Sequence, residues 1–263
     1  MAIGVSTSCL FPMETERALA RLGALGIDTA EVFLSAPSEA QPAFVRRLCA
    51  VADAQGIRVT ALHSYCSDAE GYMFFGQYPR RLRDGIEEYR RIFEACAALG
   101  AQYLVFHGAK TLPPVTRELY FDRYRLLHEE AQRFGVTILQ ENVARCMSRD
   151  PAFLRAMAAA LPQARFVLDT KQAIRAGAEL DELLEIMGAR LARVHISDYR
   201  ADSDCVPPGA GEMDYGAFFR RLAALGFAGD VIVELYRWGF DDEQELAQSV
   251  SHLRRCFEAA QKG

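Results

Sequence analysis

The fold class this sequence predicts is a single closed (β/α)8 barrel, eight parallel strands alternating with eight helices. Three observations predict it. Short apolar runs alternate strictly with amphipathic helical stretches, which is the pattern of parallel βα units. Most helical stretches end at a glycine (Gly26, Gly56, Gly100, Gly135, Gly188 and Gly226), with Leu161-Pro162 supplying the remaining stop. Glycine suits the position just past a helix because the left-handed cap conformation costs it nothing. Seven stops after an N-terminal strand give eight strands, and eight such units in 263 residues is the size of a closed barrel. A doubly wound open sheet is the alternative, but no Gly-x-Gly-x-x-Gly follows the first strand.

The elements follow in order. Ile3-Gly4-Val5 reads as the first strand, and the helix over 14–25 sets Leu19, Leu22 and Leu25 on one face. The remaining strands begin near residues 29, 57, 102, 136, 165, 191 and 230. The helices between them cover about 39–55, 79–99, 116–134, 150–161, 180–187 and 215–225, with Asp214 a good N-cap for the last of these. A final helix over 242–260 carries an apolar stripe of Leu246, Val250, Leu253 and Phe257. That stripe covers its own barrel or forms a contact in a homo-oligomer. With no low-complexity linker or shift in composition, residues 1–263 read as one domain.

Composition narrows the function classes. With 51% hydrophobic and 25% charged residues the chain matches ordinary soluble globular proteins. A net charge of −5 gives no basic excess to suggest a nucleic-acid or acidic-membrane partner. The seven cysteines are scattered, odd in number and without a Cys-x-x-Cys pair, which points to a reduced, cytoplasmic protein. No basic region precedes an apolar run at the N-terminus, where the first positive residue is Arg17, so no signal peptide is expected. No apolar run approaches the ~18–20 residues of a membrane span.

The chemistry gathers at the strand ends. Six apolar runs finish in His, Asp or Glu: Ala61-Leu62-His63, Leu104-Val105-Phe106-His107, Ile138-Leu139-Gln140-Glu141, Phe166-Val167-Leu168-Asp169, Val194-His195 and Val231-Ile232-Val233-Glu234. In a barrel these ends share the carboxyl face, where active sites are built. Long connections at 66–78, 109–115 and 199–214 lie on the same face, and the aromatic residues Tyr65, Tyr72, Phe74 and Phe75 either wall a pocket there or pack as an ordinary lid. Glu141, Asp169, His195 and Glu234 fall on four consecutive strands. Oxygen ligands with one imidazole suit a divalent ion such as Mn2+, Mg2+, Co2+ or Zn2+. Three crowded carboxylates would otherwise repel and stay partly protonated. Taken singly, each of the four has an ordinary structural explanation as a cap, an ion-pair partner or a hydrogen-bonded core histidine. His63 and His107 face the same cavity as substrate contacts, further ligands or packed polar groups. Lys110, Lys171 and Arg237 sit just past strand ends, either meeting an anionic substrate group or solvated. The loop Pro207-Pro208-Gly209-Ala210-Gly211 is not a nucleotide-binding Walker loop, since it lacks Gly-Lys-Ser/Thr.

These pieces resemble the xylose isomerase-like barrel superfamily, which contains sugar isomerases, ketose 3-epimerases, inosose-processing enzymes and endonuclease IV. The resemblance runs through Glu141-Asn142, Leu168-Asp169-Thr170, Val194-His195-Ile196-Ser197-Asp198, the Gly209/Gly211/Asp214 loop and Glu234, and so covers nearly the whole chain. It implies that Glu141, Asp169, His195 and Glu234 bind one divalent metal and that the two glutamates double as acid–base groups. The expected activity is a sugar or polyol-derived keto compound isomerase or epimerase acting by proton abstraction next to a carbonyl, with a dehydratase as a close neighbour. There are departures. Where the family often has Asp-x-x-His, this chain has Asp169-Thr170-Lys171-Gln172, which leaves Gln172 a substrate contact rather than a ligand. Arg200 resembles a substrate-contacting arginine of the epimerases. An endonuclease IV-like phosphodiesterase with about three zinc ions is the second expectation; His63 and His107 favour it, while Gln172 and the missing Asp-x-His around Asp204 oppose it. A barrel that binds metal or ligand without turnover is the third.

Overall fold

The computed structural model describes residues 1–262, so Gly263, the last residue of the expected domain, lies outside the described residues. Eight parallel strands close on themselves: β1 (Ile3–Ser6), β2 (Thr29–Phe33), β3 (Arg58–His63), β4 (Tyr103–Phe106), β5 (Thr137–Glu141), β6 (Arg165–Asp169), β7 (Leu191–Ile196) and β10 (Asp230–Val233). β10 pairs with both β7 and β1 and completes the ring. The strand starts and their parallel order agree with the sequence reading. An antiparallel hairpin, β8 (Asp198–Arg200) with β9 (Ser203–Val206), lies outside the barrel after β7.

The helices are α1 (Thr15–Ala24), α2 (Pro42–Gln55), α3 (Glu70–Phe74), α4 (Pro79–Ala98), α5 (Arg117–Gln132), α6 (Pro151–Ala160), α7 (Thr170–Ala176), α8 (Leu180–Met187), α9 (Tyr215–Ala224) and α10 (Gln244–Ala260). α2 starts three residues later than the spacing predicts. A 3-10 turn, Pro37–Ala40, precedes it, and Gln41 is extended because the following Pro42 disfavours helical backbone there. Two short helices were not expected. α3 occupies the loop after β3, and α7 begins directly on Asp169, which caps it by accepting from the Gln172 amide at 2.9 Å. All six predicted glycine stops have positive φ. Asp214 caps α9 through the Ala217 amide, as expected.

Strand alternation decides what faces the barrel axis. Val105, Leu139, Val167 and Ala192 form a small apolar cluster of their own inside the ring. Two residues farther along three of these strands come His107, Glu141 and Asp169, on the same face. The main core lies between the strands and the helices. There Phe74 and Phe75 are buried against Tyr89, Phe106 and Tyr120, so these two aromatics pack the core and do not wall the cavity. Tyr72 is exposed under the Arg81 guanidinium, and the Tyr65 hydroxyl donates to Glu88. The α10 stripe packs on its own barrel: Leu246, Val250 and Leu253 are buried, and Phe257 meets Phe219. All seven cysteines are free, and among the described residues no helix is long and apolar enough to cross a membrane.

Candidate active site

Register brings the strand ends together. Asp169 lies opposite His195 across the β6–β7 ladder, and Ile232, two residues before Glu234, lies opposite His195 across β7–β10. The result is a tight group at the carboxyl end of the barrel. Ligand atoms of Glu141, Asp169, His195 and Glu234 all lie within 4.8 Å of one another. His195 Nδ1 is 3.1 Å from Glu141 Oε1 and 3.5 Å from Glu234 Oε2. A second group, His63, His107 and Glu141, meets the same limit. His107 Nε2 lies 2.9 Å from both His63 Nε2 and Glu141 Oε2. Glu141 thus offers one oxygen to each group.

Sequence reasoning missed the layer beneath. Glu31, wholly buried in the middle of β2, sets Oε2 3.1 Å from His195 Nε2. Arg193, two residues before His195 and also fully buried, lies 3.6 Å below Glu31 and donates to Thr60 Oγ1 at 2.7 Å. A charge inside an otherwise apolar strand was the available signal for both. Asn142 fixes the neighbouring ligand: its amide donates to the Asp169 carbonyl at 3.0 Å and its carbonyl accepts from the Asp169 amide at 2.7 Å.

Lys171 is the largest addition. It is 97% buried, and its ammonium donates to Asp169 Oδ2 at 2.5 Å and to Glu234 Oε2 at 3.0 Å. Neither of the alternatives weighed for it from sequence describes this, since it meets the protein's own carboxylates. The electrostatics follow from these contacts. Burial alone would raise Glu234, but Lys171 and then His195 bring its carboxyl down to about 2. Burial also works against Glu141, yet His107, His195 and His63 hold it well below the usual carboxylate range. For Asp169 burial wins over the pull of Lys171, and repulsion from Glu141 and Glu234 helps carry it up to about 7. Burial disfavours the His195 cation, but Glu31 and Glu234 raise it well above an ordinary histidine.

The remaining expected residues divide. Gln172 borders the cavity, and its carbonyl oxygen accepts from the Ala144 amide at 3.0 Å. Arg200 is not brought to the site. The β8–β9 hairpin carries it away, and it is exposed at the hairpin turn. Lys110 is exposed beside a bridge to Cys146, and Arg237 donates to the Phe240 carbonyl at 3.0 Å. Above the group opens a cavity of about 740 Å3 that reaches Glu141, Glu234, His63, His107 and Lys171.

A family model described as xylose isomerase-like TIM barrel matches residues 17–256. The chain belongs to the xylose isomerase-like TIM barrel family. The chain is 26% identical to the 3-dehydro-D-guloside 4-epimerase of Escherichia coli over 284 residues, covering 97% of this chain and 100% of that one. It is 28% identical to the inosose isomerase of Bacillus subtilis over 167 residues, covering 58% of this chain and 60% of the relative. A solved structure titled as the IOLI protein with a binding zinc atom superposes with a TM-score of 0.78 at 20% identity, over 99% of each chain, and supports the fold.

Proposed function

We propose that the chain is a divalent-cation-dependent isomerase of the sugar epimerase class, acting on a keto sugar or polyol-derived keto compound. The observation that carries this is the pair of the buried Glu141 and the partly buried Glu234, which approach the same His195 nitrogen at 3.1 and 3.5 Å at the floor of the cavity. The relatives named 4-epimerase and inosose isomerase support it.

The donor set fits one divalent ion. Three carboxylates and one imidazole converge with ligand atoms within 4.8 Å of one another, and Glu141 Oε2 is buried without a well-aligned hydrogen bond among the described residues. Glu141, Asp169, His195 and Glu234 would hold the ion. When bound, it supplies polarisation of a substrate carbonyl and acidifies the adjacent C–H.

The protein's own groups do the rest. Glu141 and Glu234 are both held ionised at neutral pH, so either can take the proton beside the carbonyl, giving an enediolate. A proton returned to the opposite face epimerises that carbon; returned to the neighbouring carbon, it interconverts aldose and ketose. Loss of a hydroxyl from the same enediolate would be dehydration. His63 and His107 border the same cavity, which supports a role in holding substrate hydroxyls.

A second reading, an endonuclease IV-like zinc phosphodiesterase, draws support from the His63–His107–Glu141 group. Against it, Gln172 is engaged with the Ala144 backbone and Asp204 with Arg175. Elemental mass spectrometry of the purified chain separates the two. About one ion per chain, lost in His195→Ala and kept in His63→Ala, is expected; about three zinc ions, some needing His63, would favour the nuclease, and no ion after reloading would sink both. Glu141→Gln and Glu234→Gln should each fold and lose turnover by roughly a hundredfold or more. Either variant running at the wild-type rate would overturn the acid–base assignment.

A further inference from the structure

We propose that the mouth of the cavity is a subsite for an apolar aglycone, so that the substrate is a keto glycoside bearing an aryl or alkyl group rather than a free sugar. The sugar end of this assignment rests on the epimerase reading above; the aglycone end does not.

At about 740 Å3 the cavity falls in the range of roughly 300–1,000 Å3 that takes drug-sized ligands, more than one pyranose ring fills. Its two ends differ in chemistry. The floor carries the histidines, glutamates and Lys171 described above. The mouth carries Phe11, Pro12, Met13, Tyr236 and Trp238. A second sugar would need hydrogen-bond partners there, and the arginines and the phenol nearby each already have one partner. Arg145 pairs with Asp68, Arg237 donates to the Phe240 carbonyl at 3.0 Å, and the Tyr236 hydroxyl accepts from Arg175 at 2.6 Å.

The aromatic surface is exposed yet ordered. Trp238 is 81% exposed and lies flat on Tyr236, with ring centroids 4.6 Å apart and planes 3° from parallel. Tyr236 is held in turn by Arg175, whose guanidinium makes two hydrogen bonds to the Asp204 carboxylate. Phe11, 60% exposed, follows the Thr7–Leu10 turn, which packs against the Arg237–Gly239 turn that carries Trp238. Grouped exposed aromatic rings continuous with a charged cleft mark a contact surface, and a ring already fixed in place loses little freedom when a flat apolar group stacks on it.

Trp238 is the only tryptophan in the chain, so tryptophan emission, excited selectively over the ten tyrosines, reports on the mouth. The full chain is titrated with phenyl β-D-glucopyranoside and with methyl β-D-glucopyranoside, which differ only in the aglycone. The phenyl glycoside should change the emission saturably with at least tenfold higher affinity than the methyl glycoside, and Phe11→Ala should remove most of that preference. Equal affinities, or no saturable change with the phenyl glycoside, would overturn the subsite. So would emission that is blue-shifted in the free protein and moves to the red on dilution, which would assign the mouth to a second copy of the chain. Discrimination between the two glycosides by a chain that takes up no divalent ion after reloading would keep the subsite and sink the epimerase reading; metal-dependent turnover of a keto sugar with equal affinities for the two glycosides would do the reverse.

Discussion

His195 has a carboxylate at each ring nitrogen, Glu141 and Glu234 near Nδ1 and Glu31 at Nε2. Metal-binding histidines usually hand their second N–H to such a partner, which fixes the tautomer and raises the basicity of the free nitrogen. Glu31→Gln should therefore fold while divalent-ion affinity, measured by calorimetry, falls by about 10–100-fold. Lys171 acts in the opposite sense, as a tethered positive charge on two of the four donors. Lys171→Met should tighten ion binding by on the order of tenfold or more, since like charges a few ångströms apart repel by several kcal/mol even at intermediate dielectric. Unchanged or weaker affinity would refute that role. His63, His107, Glu141, Asp169, His195 and Glu234 were legible in the sequence because each interrupts an apolar run at its carboxyl end. Glu31 was harder to read, because its charge mid-strand between Ala30 and Val32 flags a buried partner but does not say which strand supplies it. The position of Lys171 was legible but its direction was not, because only the turn of the chain into α7 aims it back at Asp169.

The elements that escaped the sequence reading are the short ones. α7 is seven residues long and starts on a strand-end aspartate whose capping role was weighed only as the alternative to a ligand, and Gly177, its left-handed cap, went uncounted among the stops. The β8–β9 hairpin hides in a loop whose visible signal was Gly209 and Gly211. Asp198 explains that loop: its buried carboxylate accepts from the amides of Gly209, Gly211 and Met213, and a Cβ on Gly211 would come within 2.3 Å of it. α3 contributes Glu70, which accepts from the Tyr89 hydroxyl and from the His107 and Gly108 amides, and so fixes the strand end that carries His107. Burial raises the Glu70 carboxyl well above its ordinary 4.5, although Tyr89 and the two amides oppose the shift. A raised carboxyl binds its proton more tightly in the folded state. Its contribution to stability is thus full below about pH 4.5 and declines as pH rises through the folded value. Melting temperatures of wild type and Glu70→Gln across pH should show the wild type losing ground relative to the variant as pH climbs from that point. A constant difference would mean that the two states share one pKa.

For the whole molecule the fold was the most legible feature, because repeated glycine stops and strict alternation leave few topologies for a chain of this length. Closure itself, β10 against β1, depends on contacts between residues more than 200 apart, such as Ile3 with Val231, which local pattern cannot report. Ligand-linked stability tests the site at this scale. An ion at a hundredfold excess over its Kd adds about 2.7 kcal/mol, so chelation should lower the melting temperature by about 5–10 °C, and His195→Ala should not respond. The division between floor and mouth has a further consequence. The proposed ligands, with Glu31 and Arg193 beneath them, stand on or at the ends of strands locked by register, whereas Phe11, Tyr236 and Trp238 stand outside the strand ladder, in or beside short turns. Divergence or laboratory selection can therefore rewrite what the chain accepts by exchanging the turns, and the proton-handling apparatus would be inherited intact.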